Sequence, residues 1–437
     1  MEPVEYRCVL VQSCSLGVLA YGNAGQYRLP RVYIPRATRP VFEVQRAMNA
    51  KWGLDIFVLE IWAPADGPGA CAIAELLTPE MASSFREVSV EQLMTSELLE
   101  DERNRLELFF NGRLKGPFSQ LGWVDEGLRW MASATGCAFF SKSDIEQWSA
   151  GESFALMRAR SDDGRNYWLK ATGEPNAHEF AITGLLCKLC PDFLPKLIAT
   201  KKEWNAWLTT DAGIPLSDSA SPTELVSAAR RMAQLQLLTI GRTDDLLAAG
   251  AFDQRLPALR SRIDALIAYL IKAMARQTST KAAPLSRDRL LELGEVLRDA
   301  CFRLEALDIP DALIHNDLNT GNILSDGPRL VFTDWSEAAV GNPLLACERL
   351  CQLSPAHAES VRNVYREFWS HQLSAQSMDE ALALTPLVAI YAYLYGRGDW
   401  IGQRESVLPQ FESYARSLAR HMDRAARDSS LLEVLCH

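Results

Sequence analysis

At 437 residues the chain is longer than one hydrophobic core usually sustains, so two or three domains are expected. Hydrophobic residues make up 48% and charged residues 23%, the balance of a globular protein, and a formal charge of −10 argues against a nucleic-acid binder, which would carry a basic face. No uncharged apolar run approaches the roughly 20 residues of a membrane span, and "MEPVEYRCVLVQSC" lacks the basic-then-apolar pattern of an export signal, so a cytoplasmic chain with no nucleic-acid or membrane partner is expected.

The first elements alternate strand-like runs with turns. "YRCVLVQ" and "GVLAYG" are apolar or β-branched runs, and Asn23 to Gly25 is a turn. "RPVFEVQRAMNAKWGLD" reads as one helix: Pro40 suits its first turn, Val41, Val44, Met48 and Trp52 share a face, and Gly53 stops it. "DIFVLEIW" is the next strand. The stretch from Leu93 to Phe118 is charged and helical or loop-like. In "GPFSQLGWVDEGLRWM", Trp123, Leu128 and Trp130 are candidates to cover a seam between domains, with a boundary near residue 120.

A second sheet begins near Ile145. "IEQW", "FALMRA" and "NYWLKA" are three strands joined by the turns "SAGES" and "SDDGR". A helix over Ala177 to Leu189 follows, then strands Leu197 to Thr200 and Trp204 to Thr209. From Thr223 the pattern is mostly helical, with amphipathic stretches at Glu224 to Leu238, "LRSRIDALIAYLIKAM" and "DRLLELGEVLRDACFRLEAL". Ten cysteines are scattered along the chain and read as reduced, buried thiols. The Cys187-x-x-Cys190 pair lies in a helical pattern with no second pair nearby, so core packing is favoured over zinc.

The stretch "LIHNDLNTGNIL", Leu313 to Leu324, presses a knot of His, Asn and Asp between apolar pairs. His315-x-Asp317, with Asn322 five residues beyond the Asp, has the spacing of a kinase catalytic loop, and "LVFTDW" then ends in Asp334. Phosphoryl transfer is largely positioning plus charge neutralisation, so a carboxylate must face the acceptor hydroxyl and oxygen ligands must hold hard Mg²⁺ ions on the phosphates. Asp317 is the candidate base, and Asn322 and Asp334 the metal holders. Lys170 ends the third strand of the second sheet, where a kinase lysine meets the α- and β-phosphates. Glu179, near the start of the next helix, is the residue to pair with it.

With these residues in place the chain resembles the aminoglycoside phosphotransferases and their choline- and homoserine-kinase-like relatives, over roughly residues 140 to 437. "IHNDLNTGNIL", "VFTDWSEAAVGNP", "WLKA" and "WLTTDAG" carry the likeness. The resemblance implies an α+β, bilobal protein-kinase-like fold, with a five-stranded N-lobe and a mostly helical C-lobe. It implies ATP and Mg²⁺ as cofactors, with GTP an open alternative, and a small hydroxylated molecule as partner. It makes Asp317 the positioner of the acceptor hydroxyl, Asn322 and Asp334 the magnesium ligands, and the Trp207 to Ala212 backbone the hinge that meets adenine. His315 would support the loop from behind. Asn316 stands where protein kinases carry Arg, which suits a small-molecule kinase. A strong glycine-rich phosphate loop is missing; "SAGESF" has only Gly151, and backbone N–H groups of small residues would take over its work.

The segment before it resembles a Nudix hydrolase fold over about residues 6 to 80, with the strand, "YRLPRVYI", helix, "GLDIFVLEIW" order. The positions that carry metal-binding glutamates in that family hold Thr38, Ala47, Ala50 and Lys51, so a degenerate α/β Nudix-like module with a structural role is expected. The expected domains are this module over 1–120, a linker helix over 121–140, the N-lobe over 141–212 and the C-lobe over 213–437. The expected activity is ATP- and Mg²⁺-dependent phosphorylation of an aminoglycoside or another hydroxylated amine or alcohol. The alternatives are a metabolic small-alcohol kinase and a pseudokinase that binds nucleotide or a partner without catalysis. Glu337, Glu348, Asp399 and the Tyr391-Tyr393-Tyr395 run are candidates for the acceptor pocket, and the oligomeric state stays open.

Overall fold

A computed structural model describes all residues except 1–2, 13–16, 24, 37–38, 63–68, 79–81, 83, 115, 218–219, 328, 396–408 and 437. The chain forms two units: Met1–Phe180 with Lys196–Asp211, and Ala181–Pro195 with Ala212–His437. The boundary expected near residue 120 falls inside the first unit.

That unit holds two sheets. The first contains β1 (Val4–Val11), β2 (Val18–Ala20), β3 (Arg31–Ile34), β4 (Ile56–Trp62), β5 (Gly69–Leu76) and β6 (Arg86–Val88), in the order β4-β5-β1-β2-β6 with β3 also on β1. β5 runs parallel to β1, and the other pairings are antiparallel. Helix α1 (Pro40–Trp52) covers one face, seating Val41, Val44 and Met48 on Cys8, Leu10, Val58 and Ala72. Its limits follow the expected signals. Pro40 opens it where a missing N–H costs nothing, and Gly53, at φ 68°, closes it with an N–H bond to Asn49 O of 2.8 Å.

The other face of that sheet is buried too. Alternate residues Val9, Phe57, Leu59 and Ile73 enter a core shared with the second sheet and with α3 (Trp123–Thr135). The charged helix α2 (Glu100–Phe110) is tied to β1 by a buried Arg7–Glu102 pair at 2.8 Å. The second sheet comprises β7 (Phe140–Ser149), β8 (Phe154–Ser161), β9 (Asn166–Thr172), then, after α4 (Glu179–Leu189), β10 (Leu197–Lys201) and β11 (Ala206–Thr210). Its order is β10-β11-β9-β8-β7, antiparallel throughout.

Trp123 is the shared core's pivot, with ring centroids 6.0 Å from Phe57 and 5.5 Å from Trp204. Leu128 is buried in the same core and Trp130 packs at its edge, 6.0 Å from Trp204. Side-chain amides join the two sheets as well. Gln147 of β7 bonds both backbone groups of Val58, at 2.7 and 2.6 Å, and Gln45 of α1 reaches Ile145 O at 3.2 Å. The fifth strand starts later than the expected Trp204, because Lys202–Trp204 forms a 3-10 turn closed by Asn205 at φ 50°.

The second unit is mostly helical. It includes α5 (Pro222–Thr239), α6 (Thr243–Ala248), α7 (Leu256–Arg260), α8 (Ile263–Ala275), α9 (Arg287–Ala306), α10 (Leu344–Leu353), α11 (Ala358–Trp369), α12 (Ala375–Tyr395), α13 (Pro409–Ala425) and α14 (Ser429–Cys436). "LRSRIDALIAYLIKAM" is two helices rather than one. Arg262 leaves helical geometry at φ −113°, ψ 1°, and Leu259 and Ile263 on either side of the break are both buried. Two three-stranded sheets sit among the helices. In one, β14 (Ala312–His315) pairs β17 (Ala338–Gly341), which runs parallel to β13 (Phe252–Gln254); in the other, β15 (Ile323–Ser325) lies between β12 (Ile214–Pro215) and β16 (Leu330–Phe332). Gly213 must be glycine for the second of these. At φ 98°, an added Cβ would lie 2.0 Å from Ser325 O. Among the described residues no helix is long and apolar enough to cross a membrane.

Candidate active site

In the first unit, strand register places Lys170 at the centre of the second sheet, opposite Leu156 on one side and Trp207 on the other. Its Nζ lies 2.7 Å from Glu179 Oε1, with the two side chains 12% and 1% exposed. The rings of Phe154 and Trp207 stand 5.8 and 5.7 Å from the ammonium. A half-buried cation fixed in direction by one carboxylate, with aromatic faces beside it, has the chemistry to meet a further anion.

In the second unit the polar knot sits at the mouths of the two small sheets. Asp317 follows β14, Asn322 immediately precedes β15, and Asp334 follows β16, so the strand pairing gathers the loop ends. Thr333 N bonds Asn322 O at 3.0 Å and holds the second and third of these together. Both oxygens of Asp317 are engaged by carboxamides: Asn319 Nδ2 donates to Oδ1 at 3.1 Å, and Asn322 Nδ2 to Oδ2 at 3.0 Å. Asn322 Nδ2 also donates to Asp317 O at 2.8 Å, so its amide nitrogen faces the aspartate and its Oδ1 faces away. Asp334 adopts a left-handed backbone, φ 63° and ψ 66°, and accepts a 3.1 Å bond from Ser336 Oγ. That conformation costs a non-glycine residue on the order of 1 kcal/mol, which the strands on either side hold in place.

His315 is fully buried behind the loop. Its Nε2 faces Thr333 O at 2.8 Å and so must donate, and its ring lies 4.5 Å from that of Trp335. Burial holds its pKa below the usual imidazole value, against the opposing pull of the Thr333 carbonyl and the Asp317 and Asp334 carboxylates. An imidazole held in its neutral form and donating from Nε2 braces the loop from behind.

Residues 177–345, less than half of the chain, match the model of the phosphotransferase enzyme family. Over this segment the chain is similar to that family. The segment contains Glu179, Asp317, Asn322 and Asp334, while Lys170 and the "SAGES" loop precede it. No curated protein matches the chain. Among solved structures the chain is similar to a macrolide 2'-phosphotransferase from Brachybacterium faecium (18% identity, TM-score 0.43, 67% of this chain and 96% of that one). It is similar too to a choline/ethanolamine kinase family protein from Mesorhizobium loti (15%, 0.46, 67% and 91%) and to a choline kinase from Streptococcus pneumoniae (13%, 0.43, 69% and 99%).

The loop offers donors of the kind a hard divalent cation takes: one carboxylate, Asp334, and one amide oxygen, Asn322 Oδ1. Among the described residues, Cys187 and Cys190 belong to no group of three potential metal ligands. Burial pushes the Cys187 thiol up to about 11 and raises Cys190. Cys347, Glu348 and Cys351 are the one group of three potential ligands among the described residues, but Arg362 already holds both Glu348 oxygens, at 3.0 and 3.1 Å.

The same pairing removes Glu348 from the acceptor candidates: it is buried on α10 and neutralised within the core. Tyr391 is removed likewise, since it is fully buried with its hydroxyl on Leu259 O at 2.6 Å. Tyr393 packs edge-on to Tyr414, with the Arg349 guanidinium 4.0 Å from its ring. Glu337 accepts the Asn316 N–H through its backbone oxygen, and Asp399 lies outside the described residues. One participant escaped the sequence reading. Asn319 grips Asp317 and also accepts the Gly321 N–H at 2.9 Å; the only signal was a carboxamide two residues past the aspartate.

Proposed function

We propose that the protein is an ATP- and Mg²⁺-dependent phosphotransferase that moves the γ-phosphoryl group to a hydroxyl of a small molecule, an aminoglycoside or another hydroxylated amine or alcohol. The observation that carries this reading is Asp317, whose two oxygens are held by Asn319 and Asn322 inside a phosphotransferase-family segment that also supplies Asp334. A carboxylate so fixed can orient an acceptor O–H and take its proton as the oxygen bonds to phosphorus and ADP leaves. Asn322 and Asp334 would hold Mg²⁺, which supplies charge neutralisation on the phosphates. Lys170, directed by Glu179, would meet the α- and β-phosphates, and the backbone from Trp207 to Ala212 would meet adenine. GTP remains the alternative donor.

The test is ATP consumption by the purified full chain against a panel of aminoglycosides, amino alcohols and simple alcohols, with and without Mg²⁺. One or more acceptors should stimulate ADP release, and chelation should abolish it. Tight Mg·ATP binding with no acceptor-dependent turnover across the panel would favour the nucleotide-binding pseudokinase.

A further inference from the structure

The loop joining β7 to β8, Ala150–Ser153, is gripped by the first sheet. Along β4, Val58 and Ile61 pack toward α1 while Leu59 and Trp62 enter the other core, so the alternation skips one residue, Glu60. The register against β5 shifts at this point, a bulge that re-aims a side chain out of the pleat. Glu60 is 8% exposed, and its Oε2 accepts the backbone N–H of Glu152 at 3.1 Å. Its Oε1 lies so close to Gly151, at φ 134°, that an added Cβ would stand 3.3 Å away. On the far side Arg105 of α2 reaches the Glu152 carboxylate at 3.5 Å. The loop adjoins the lysine: Ser153 O accepts the Gly173 N–H at 2.7 Å, and Phe154, the next residue, is the ring beside Lys170 Nζ.

A backbone amide aimed at a buried carboxylate has the chemistry of an amide aimed at a phosphate oxygen. We propose that Glu60 is a built-in anion that occupies this loop and opposes nucleotide phosphate there, so that the N-terminal sheet sets the affinity for the phosphate donor. The inference rests on the reading of this loop as the phosphate loop of a nucleotide site. Glu60 both engages the Glu152 amide and places a negative charge where the phosphates would come. Burial pushes its carboxyl up to about 7; Arg105 and the Glu152 and Ile61 amides pull it back, while the Glu152 carboxylate adds to the rise. The opposition is therefore weak when Glu60 is protonated and full once it ionises.

The experiment is Mg·ATP binding by the full chain, wild type and Glu60→Gln, across about pH 6 to 8.5, with the thermal midpoint of each sample as the check on folding. Gln keeps the acceptor oxygen and removes the charge, and because ATP titrates identically in both samples the ratio of the two dissociation constants isolates Glu60. The ratio should be near one at the acid end and rise to roughly tenfold in favour of the variant above neutrality, the scale of one like charge a few ångströms away. Glu60→Ala should move the same way and serves if the Gln variant does not fold. A flat ratio, or weaker binding by the neutral variants, would overturn the proposal and leave Glu60 a brace for the loop. A folded wild type that binds no nucleotide at any pH overturns the phosphotransferase reading and this one with it, whereas binding with a flat ratio overturns this one alone.

Discussion

From sequence, two stretches of this chain are expected to resemble parts that hold divalent cations in other proteins; one has the scaffold alone, the other the scaffold and the charge. Helix α1 has a well-defined scaffold: Val41, Val44 and Met48 seat it on the sheet, and Pro40 and Gly53 bound it. Ala47, partly buried, and the exposed Ala50 and Lys51 stand where the expected resemblance calls for carboxylates. The loop from Leu313 to Asp334 keeps the charge as well as the anchors. The difference lies in what each polar residue touches. Ala50 and Lys51 are exposed, so a change of charge there leaves the packing untouched. In the loop, Asp317, Asn319 and Asn322 satisfy one another, so removing one leaves its partners unmatched. Function should follow the same division.

The largest effect is expected at Asp317. Asp317→Ala should lower turnover by about 10²–10⁴-fold, the usual worth of a positioned base, while Mg·ATP affinity survives because the carboxylate acts on the acceptor. Steady-state rates and calorimetric nucleotide binding on the same sample check it. A folded variant with wild-type turnover would remove the loop's advantage over α1.

Asp334→Asn should act on the other parameter. The site loses its anionic oxygen while shape and the bond from Ser336 remain possible, so metal-dependent nucleotide affinity should fall on the order of 10–100-fold. Raising Mg²⁺ should recover part of the loss, and an affinity that ignores both the substitution and the metal would show that Asp334 holds no cation.

Much of this division was legible before the coordinates. The limits of α1 were fixed by local signals, a proline and a glycine, and the Lys170–Glu179 and Asp317–Asn322–Asp334 spacings by motif. What stayed hidden depended on long-range packing. Nothing local says that Glu348 spends its charge on Arg362, or that the Tyr391 hydroxyl is used by Leu259 O. Glu60 is one polar residue in the apolar run "DIFVLEIW", and only the bulge and the β7–β8 loop beside it in space reveal its partner. The shared core around Trp123 is another case. The sequence suggested a seam cover, but Trp123 stands between Phe57 and Trp204, far apart in the chain, and unites two sheets expected as separate domains.

The smallest expected effect is no effect at all, and it sharpens the contrast from the other side. The N-terminal module should hydrolyse no nucleoside diphosphate derivative, because splitting a diphosphate needs a cation held by several carboxylates. Helix α1 offers one, Glu43, and that one faces Arg46 at 3.8 Å. Ala47 is partly buried against the core, and the Lys51 ammonium caps Arg31 O at 2.9 Å, placing a positive charge where a cation would have to sit. Thr38 lies outside the described residues. Among the described residues no group of three potential ligands lies in this module. The full chain is the right sample, because the module shares its core with the second sheet. Glu43→Gln should leave a background indistinguishable from wild type with Mg²⁺ or Mn²⁺ and a panel of nucleoside diphosphate derivatives. Metal-dependent hydrolysis that Glu43→Gln removes, while Asp317→Ala leaves it intact, would mean that α1 still holds a cation and that the two stretches differ less than their side chains suggest.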